Sequence, residues 1–529
     1  MAITIETDPD LITRFLKDAA HYPGGRAAGV LRPRTVDEVS ICLRHSAPHK
    51  GAPSRHFLPV GAQSSLTGGA TPFGDIVLST ERLTGIEIEG DRVRVGAGVP
   101  LQVLQDALAK DGRWLPPVPT YLGAFAGGAV ATCAAGAATF KYGTVREWVE
   151  GITVVLAGGD VLELTRGAIT ASEEGTFEIG HRIVRIPSIR MPDVPKRSAG
   201  YFLAPKMDLV DLFIGSEGTL GVIAEAVFRT AAAPAATCRA LVPVPDEQAG
   251  IRIVGELRAA AQHTWRSGDP LGIDVAAIEH IDSRSIAIVR EDGVDRKLDI
   301  ALPTCTGVVL LIEIELSREA AGGNLWSQLE SARDAGAADS PLRRFCTLLD
   351  RHGVLDDAEI ALPQDRARAS AFAELREAVP AGVNRRVALA QQAIDPRISK
   401  TAADMIVPFD RFAGMMTTCR RLFAERDLDL AVWGHISDGN VHPNVIPRSA
   451  RDVEKGQEAI LALGAEVIAM GGCPLAEHGV GRNPIKQALL RQLYGTAGID
   501  AMRAIKLSLD PTGSLAPGVI FPTQWLRAS

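Results

Sequence analysis

The chain has 529 residues and a mass of 56.1 kDa, enough for about three domains of ordinary size. Hydrophobic residues make up 46% and charged residues 22%, a balance that calls for packed cores and excludes extensive disorder. Lys plus Arg number 56 and Asp plus Glu 63; the net charge of −7, with no basic block, removes nucleic acid from the candidate partners.

The N-terminus, MAITIETDPDLITRFLKD, carries acids early and lacks an apolar h-region, so it does not read as a secretory signal. Residues 20–230 read as short strands alternating with helices. Phe57–Val60 is an apolar run that ends in a Gly-rich turn. Asp75–Ser79, Ile86–Glu89 and Arg92–Val95 read as strands, the last two by period-2 alternation. Pro100–Asp111 places apolar residues at helical spacing and stops at Gly112. Leu122–Ala138 is uncharged over seventeen residues, but it is nearly all Gly and Ala. Such side chains gain little from lipid, so neither a transmembrane span nor a continuous helix is expected there. Ile152–Ala157 and the VLEL that follows flank a GGD hairpin turn. Asp211–Ile214 reads as a strand entering another Gly-punctuated turn.

The bland stretch Ala231–Thr237 is the first boundary. Beyond it the pattern lengthens: a helix over Asp246–Ala261, a strand over Val308–Leu316, and helices over Arg366–Val379 and Leu493–Leu509, the last followed by DPTGSLAPGVIF. The division is therefore 1–230, 238–470 and 471–529. The class is α+β, not a repeated βαβ sheet. Seven cysteines, an odd number with no C-x-x-C pair, argue against a disulfide framework, a Cys-based zinc ribbon or an iron–sulfur cluster, and fit a reducing compartment.

Glycine is the compositional oddity, at 52 residues. Between 61 and 143 it fills fourteen of 83 positions, so the excess is local. Pro59, Gly61, Ala62, Gln63, Ser64, Ser65, Leu66, Thr67, Gly68 and Gly69 form a turn of small residues with hydroxyls interleaved. Main-chain N–H groups can approach a pyrophosphate there, and the hydroxyls add neutral donors. Taken alone, such a turn is more often a plain loop. A second small-residue segment contains Gly123, Gly127, Gly128, Thr132, Gly136, Tyr142 and Gly143. It suits close approach of the backbone to a flat ligand, or equally tight packing on another element. The third is Gly215-Ser216-Glu217-Gly218-Thr219-Leu220-Gly221-Val222-Ile223.

In this order and spacing the three segments resemble the FAD-binding domain of the vanillyl-alcohol oxidase/p-cresol methylhydroxylase flavoproteins. Pro59–Gly69 resembles the first motif, P-x-G-G-x-T-x-L-x-G-G, and GSEGTLGVI the third. The resemblance implies a PCMH-type FAD domain over 1–230 and an α+β substrate cap with an antiparallel sheet over 238–470. It implies a C-terminal segment, 471–529, that returns to the FAD domain and completes the active site. FAD would set its pyrophosphate on 61–68, its isoalloxazine near 123–143 and its adenine near Ile223, with Glu217 and Gly221 in the same cofactor set. Ala62 stands for a Gly of the motif, and Ala129 and Cys133 stand where relatives carry Asn. No His sits in the 59–69 turn, so a His-linked flavin is not expected there; Cys133 reads as a core thiol.

A second concentration of chemistry lies near the C-terminus. Of eleven histidines, three fall in two Gly-flanked segments beside acids: Gly434-His435-Ile436-Ser437-Asp438-Gly439-Asn440-Val441-His442-Pro443-Asn444 and Glu477-His478-Gly479-Val480-Gly481. Two imidazoles and a carboxylate form a common open site for a divalent metal such as Zn²⁺. Any one of these histidines alone would read as a satisfied core or surface residue; their company favours function. His181, His263, His280 and His352 lack such company and read as structural.

These segments are similar to G-H-x-G-D-G-N-x-H and E-H-G-x-G of the FAD-linked D-2-hydroxyacid dehydrogenases, with Ser437 in place of Gly. The resemblance, spanning about residues 25–525, implies that His435, His442 and Glu477 bind the metal (Zn or Mn), that His478 is the base and that Asn444 touches substrate. Leu375-Arg376-Glu377 matches the family's Leu-Arg-Glu element, and Lys400 its lysine before a D-x-x-V-P-like segment. In DPTGSLAPG, Ala516 replaces an Asn. The implied reaction takes a D-lactate-like 2-hydroxy acid to the 2-oxo acid. The metal acidifies the hydroxyl, His478 takes the proton, hydride goes to the flavin, and Arg376 with Lys400 holds the carboxylate. An external acceptor (quinone, cytochrome or electron-transfer flavoprotein) and a cytoplasmic place are implied; a homodimer and peripheral contact with the inner membrane stay open. Two alternatives remain: a non-redox flavoenzyme resembling alkylglycerone-phosphate synthases, and a colourless metal-dependent hydrolase or binding protein.

Overall fold

The structure, a computed structural model, describes residues 3–44, 55–117, 119–180, 182–187, 189–334 and 336–526; His181 lies outside them. The chain divides into two units. The first comprises Met1–Gly136, Gly143–Ala233 and Cys473–Ser529, and the second Ala137–Tyr142 and Pro234–Gly472.

The first unit holds two larger sheets and two two-stranded ones. Strands β1 (Arg26–Leu31), β2 (Phe57–Val60) and β3 (Phe73–Ser79) pair in parallel in the order β1–β3–β2. Strands β4 (Ile86–Glu89), β5 (Arg92–Gly96), β6 (Val149–Val155), β7 (Val161–Thr165) and β8 (Val222–Arg229) form an antiparallel sheet in the order β4–β5–β8–β6–β7. The alternation in β5 buries Val93 and Val95 and turns Arg92 and Arg94 to solvent. Each such valine contributes roughly 1.5–3 kcal/mol of burial. Leu31, Phe57, Leu78, Val155, Val222 and Leu515 share one core cluster, which brings the C-terminal segment into this unit.

Three helices matter here: α1 (Leu101–Ala109), α2 (Ala126–Ala131) and α3 (Leu209–Phe213). The uncharged run 122–138 contains only the six-residue α2. Among the described residues no helix is long and apolar enough to cross a membrane. The expected strand at Asp211–Ile214 is corrected: all but its last residue lie in α3. The Asp208 side chain accepts the Val210 N–H at 2.8 Å, and this cap starts a helical turn where the apolar run alone reads as a strand.

The second unit is built on an antiparallel sheet. Its strands are β9 (Ala236–Val244), β10 (Val275–Asp282), β11 (Val308–Leu316), β12 (Glu359–Ala361), β13 (Thr401–Ala402), β14 (Leu430–Gly434) and β15 (Asn440–Val445). Their order is β12–β9–β11–β10–β14–β15–β13, and Met405–Ile406 also pairs on β15. Helix α4 (Glu247–Ser267) is capped by Asp246, which accepts the Ala249 N–H. Helix α5 (Arg366–Ala393) does not stop at Val379 as expected but runs on through Pro380. Val379, Val383 and Val387 are all buried in the cluster that includes Leu241, Ile281 and Phe372. Burying three valines outweighs the roughly 3 kcal/mol cost of an internal proline.

The closing helix, α6 (Pro484–Leu509), starts earlier than the expected Leu493. Asn483 Oδ1 accepts the N–H groups of Ile485 and Lys486, and Gly495 (φ 66°) breaks the helix into two halves. The expected Leu493–Leu509 spans that break. Among the described residues all seven cysteines are free.

Candidate functional site

In the first unit the turn after β2 leaves main-chain donors unspent. Among the described residues, the N–H groups of Gly61, Ala62, Gln63 and Ser64 donate to nothing in the chain, and these four residues are half-buried. Gln63 has a left-handed backbone (φ 56°) and sends its side-chain amide to the Lys17 carbonyl at 2.7 Å. Ser65 and Thr67 act differently from Ser64. Ser65 Oγ accepts the N–H groups of Thr67 and Gly69, and its hydroxyl pairs with that of Thr67 at 3.1 Å, so both shape the turn. Such a run of unspent N–H groups suits an anionic pyrophosphate.

The small-residue segment serves two ends. A Cβ at Gly127 would stand 2.4 Å from the Ala97 Cβ, so this glycine lets α2 pack on the end of β5. A Cβ at Gly128 would meet nothing within 4 Å, so space remains there for a ligand. Thr132 Oγ1 donates to the Gly128 carbonyl at 3.0 Å. Cys133 (φ 49°) and Ala516 (φ 43°) are buried with left-handed backbones, a conformation that Asn adopts more readily than Cys or Ala. Cys133 Sγ lies 3.6 Å from Thr144 Oγ1.

Glu217 (φ 51°) links two of the motifs. Its carboxylate oxygens accept the N–H groups of Val480 and Gly481, each at 2.8 Å, and burial pushes its carboxyl up to about 7. Its side chain thus holds the E-H-G-V-G segment. Gly221 packs on Val154, and Ile223 is buried at the start of β8. Within the same unit, Glu477 Oε2 lies 3.0 Å from Nζ of the fully buried Lys196, and Glu477 Oε1 lies 3.4 Å from His478 Nε2. No sequence signal marks Lys196.

In the second unit β14 delivers Gly434 and then His435; a 3-10 turn, Ile436–Asp438, and Gly439 (φ 89°) bring the chain back as β15 with His442. The two imidazole rings meet edge to face, centroids 5.5 Å apart. Each has a carboxylate behind it. His435 Nδ1 lies 3.0 Å from Glu279 Oε1 of β10, and His442 Nδ1 lies 3.4 Å from Asp404 Oδ1. Asp404 also accepts from Asn440 Nδ2 at 3.0 Å. A ring that gives its Nδ1 proton to a carboxylate keeps its Nε2 lone pair for a metal. Ser437, standing for the family glycine, accepts the Ile278 N–H at 3.1 Å and so secures the turn to β10.

Asn444 follows His442 by two residues on β15 and is buried, its Nδ2 donating to the His442 carbonyl at 2.9 Å. Arg376 on α5 lies 3.5 Å from Glu279 Oε1 and also pairs with Glu377, so Glu279 joins it to His435. Lys400 is exposed, two residues before Ala402, the partner of Asn444 across β13 and β15. Tyr142 belongs to this unit: its hydroxyl lies 2.5 Å from Glu315 Oε2, which Lys141 also contacts at 2.7 Å. Sequence reasoning passed over Glu279 and the role of Asp404, although an acid inside an apolar strand, as in VAAIEHID, was a usable signal.

Two family profiles match the chain: "FAD binding domain" over residues 27–165 and "FAD linked oxidases, C-terminal domain" over residues 234–520. Among curated relatives, glycolate oxidase subunit GlcD of Bacillus subtilis is 28% identical, over 93% of this chain and 88% of its own. A probable mitochondrial D-lactate dehydrogenase of Danio rerio is 27% identical over 93% and 84%. A D-2-hydroxyglutarate dehydrogenase of Xanthomonas citri pv. viticola is 26% identical over 99% and 95%. A solved alkyldihydroxyacetonephosphate synthase shares the fold, with a TM-score of 0.59 at 14% identity over 97% of this chain and 82% of the other.

Proposed function

The chain belongs to the FAD-linked oxidases, and from that premise we propose that it oxidises a D-2-hydroxy acid of the D-lactate type to the 2-oxo acid and passes the electrons to an external acceptor. The observation that carries the reading is the pair His435 and His442, each backed by a carboxylate. That donor set suits a divalent cation such as Zn²⁺ or Mn²⁺, with Glu477 of the E-H-G-V-G segment as the third ligand. The unspent N–H groups of 61–64 and the open space at Gly128 suit FAD.

When bound, FAD supplies the sink for a hydride, and a divalent metal lowers the pKa of a coordinated hydroxyl. The chain's own residues do the rest. His478, beside Glu477, takes the hydroxyl proton. Arg376 and Lys400 pair with the substrate carboxylate, and the buried amide of Asn444 orients the substrate. Quinones, cytochromes and electron-transfer flavoproteins are the classes of acceptor to try. A cytoplasmic enzyme is the accompanying proposal.

The test is an anaerobic screen of D- and L-2-hydroxy acids against the flavin absorbance of the holoenzyme. D-isomers should bleach it and L-isomers should not; no bleaching by any 2-hydroxy acid defeats the reading in favour of the non-redox alternative, and a colourless preparation defeats both. His478→Ala should keep the flavin spectrum and lose turnover by at least about 10²-fold. An active variant would remove His478 from its role.

A further inference from the structure

The second unit contains an arginine that this chemistry does not use. Arg258, half-buried on α4, has its guanidinium carbon 4.7 Å from the ring centroid of Phe140 and 4.4 Å from that of Phe409. Each of these rings packs on a further one. Phe140 packs on Trp265 with centroids 5.0 Å apart, and Trp265 Nε1 donates to Asp274 Oδ1 at 2.7 Å. Phe409 stacks on Phe412 at 6.1 Å and 19°. Aromatic residues are only 5% of the chain, so four of them around one guanidinium is a marked local concentration.

Two rings thus lie within cation–π distance of the guanidinium, and its N–H groups remain for hydrogen bonding. Among the described residues none accepts from it. Two neighbouring cations of this unit are already paired: Lys141 with Asp274 and Glu315, and Arg420 with Asp282 and Glu247. Burial lowers the Arg258 pKa and the nearby Asp438 carboxylate, which accepts the Asn440 N–H, opposes that shift.

The position is beside the histidine pair. Helix α4 packs on the 436–438 turn, which lies between His435 and His442. The Phe409 N–H nitrogen is 3.9 Å from where a Cβ on Gly439 would stand. A fork packed against rings loses little freedom on binding and matches a planar or tetrahedral anion bidentately.

We propose that Arg258 determines substrate specificity: its free edge receives a terminal anionic group, carboxylate or phosphate, at the far end of the 2-hydroxy acid. This rests on the 2-hydroxy-acid reading above. The substrate class becomes a 2-hydroxy acid with a second anion, rather than one with an apolar tail.

The test uses oxidised holoenzyme, which 2-oxo acids bind without reducing. Calorimetric titration should give 2-oxoglutarate, or a 2-oxo acid with a terminal phosphate, at least about 10-fold tighter binding than pyruvate, the scale of a charge-assisted hydrogen bond. The two anionic probes tell carboxylate from phosphate. In Arg258→Met the preference ratio should fall to near one, and Arg258→Lys should restore part of it. Equal affinities in the native enzyme, or a ratio unchanged in Arg258→Met, overturn the proposal. The native comparison needs no variant, so a misfolded substitution cannot shelter it. Bleaching by D-lactate without anion preference defeats only the Arg258 role. Failure of every 2-oxo acid to bind and of every D-2-hydroxy acid to bleach defeats both readings.

Discussion

The two units differ in what many of their buried polar side chains hold. In the first, several of them are aimed at main chain. Glu217 binds the N–H groups of Val480 and Gly481; Lys506 binds the carbonyls of Thr219 and Leu515; Asp510 takes the N–H groups of Ser514 and Leu515; Gln487 holds the carbonyls of Gly481 and Gly518. In the second, side chains hold side chains: Glu279 on His435, Asp404 on Asn440 and beside His442. The difference follows from what each offers a ligand. A turn that binds through its own N–H groups has no side chain to steer it, so its backbone must be fixed from behind. An imidazole that binds a metal must be fixed in rotation and tautomer, which a carboxylate on the other ring nitrogen does.

The contrast can be broken first at Lys506. Its ammonium and the Asp510 carboxylate are buried to 1% and 0% exposure, 2.5 Å apart. Lys506→Met should cost about 3–5 kcal/mol in chemical denaturation, because Asp510 is left buried and uncompensated. A loss below about 1 kcal/mol would mean that the main-chain anchoring of the first unit is dispensable. In the second unit, Glu279→Gln should leave the fold intact and weaken divalent metal binding about 10–100-fold, read by equilibrium dialysis. Unchanged affinity would break the link between Glu279 and the metal.

The smallest effect is a pH slope. Glu217 titrates near 7 in the folded chain against an ordinary 4.5, so folding favours its protonated form. Its contribution to stability is fully present below about pH 4.5 and is lost as pH rises through 7. Denaturation at several pH values between 5 and 8 should show native stability falling relative to Glu217→Gln, whose own slope is flatter. Parallel curves would show that the two N–H bonds, not burial, dominate this carboxylate.

Much of this was legible in the residues. Strand alternation placed β4 and β5 and the GGD turn placed the β6–β7 hairpin, because these signals are local; Gly-flanked His and acid residues made His435, His442, Glu477 and His478 the candidates. The misreadings came where a local signal was overruled from a distance. Asp208 turned an apolar run into α3, and three buried valines carried α5 through Pro380.

Composition, periodicity and motif therefore sufficed for the α+β class, the flavoprotein family and a set of candidate residues. Which partner each residue takes was settled by packing alone. Residues 137–142 join the second unit although their neighbours in the chain belong to the first. Gly127 serves packing while Gly128 leaves open space, and Glu279, Asp404 and Lys196 arrive beside their partners from strands and loops remote in sequence. The physical reason is range. Backbone preference and side-chain alternation act over a few residues, whereas a buried carboxylate or ammonium is stable only where the fold brings an oppositely charged or hydrogen-bonding group to meet it.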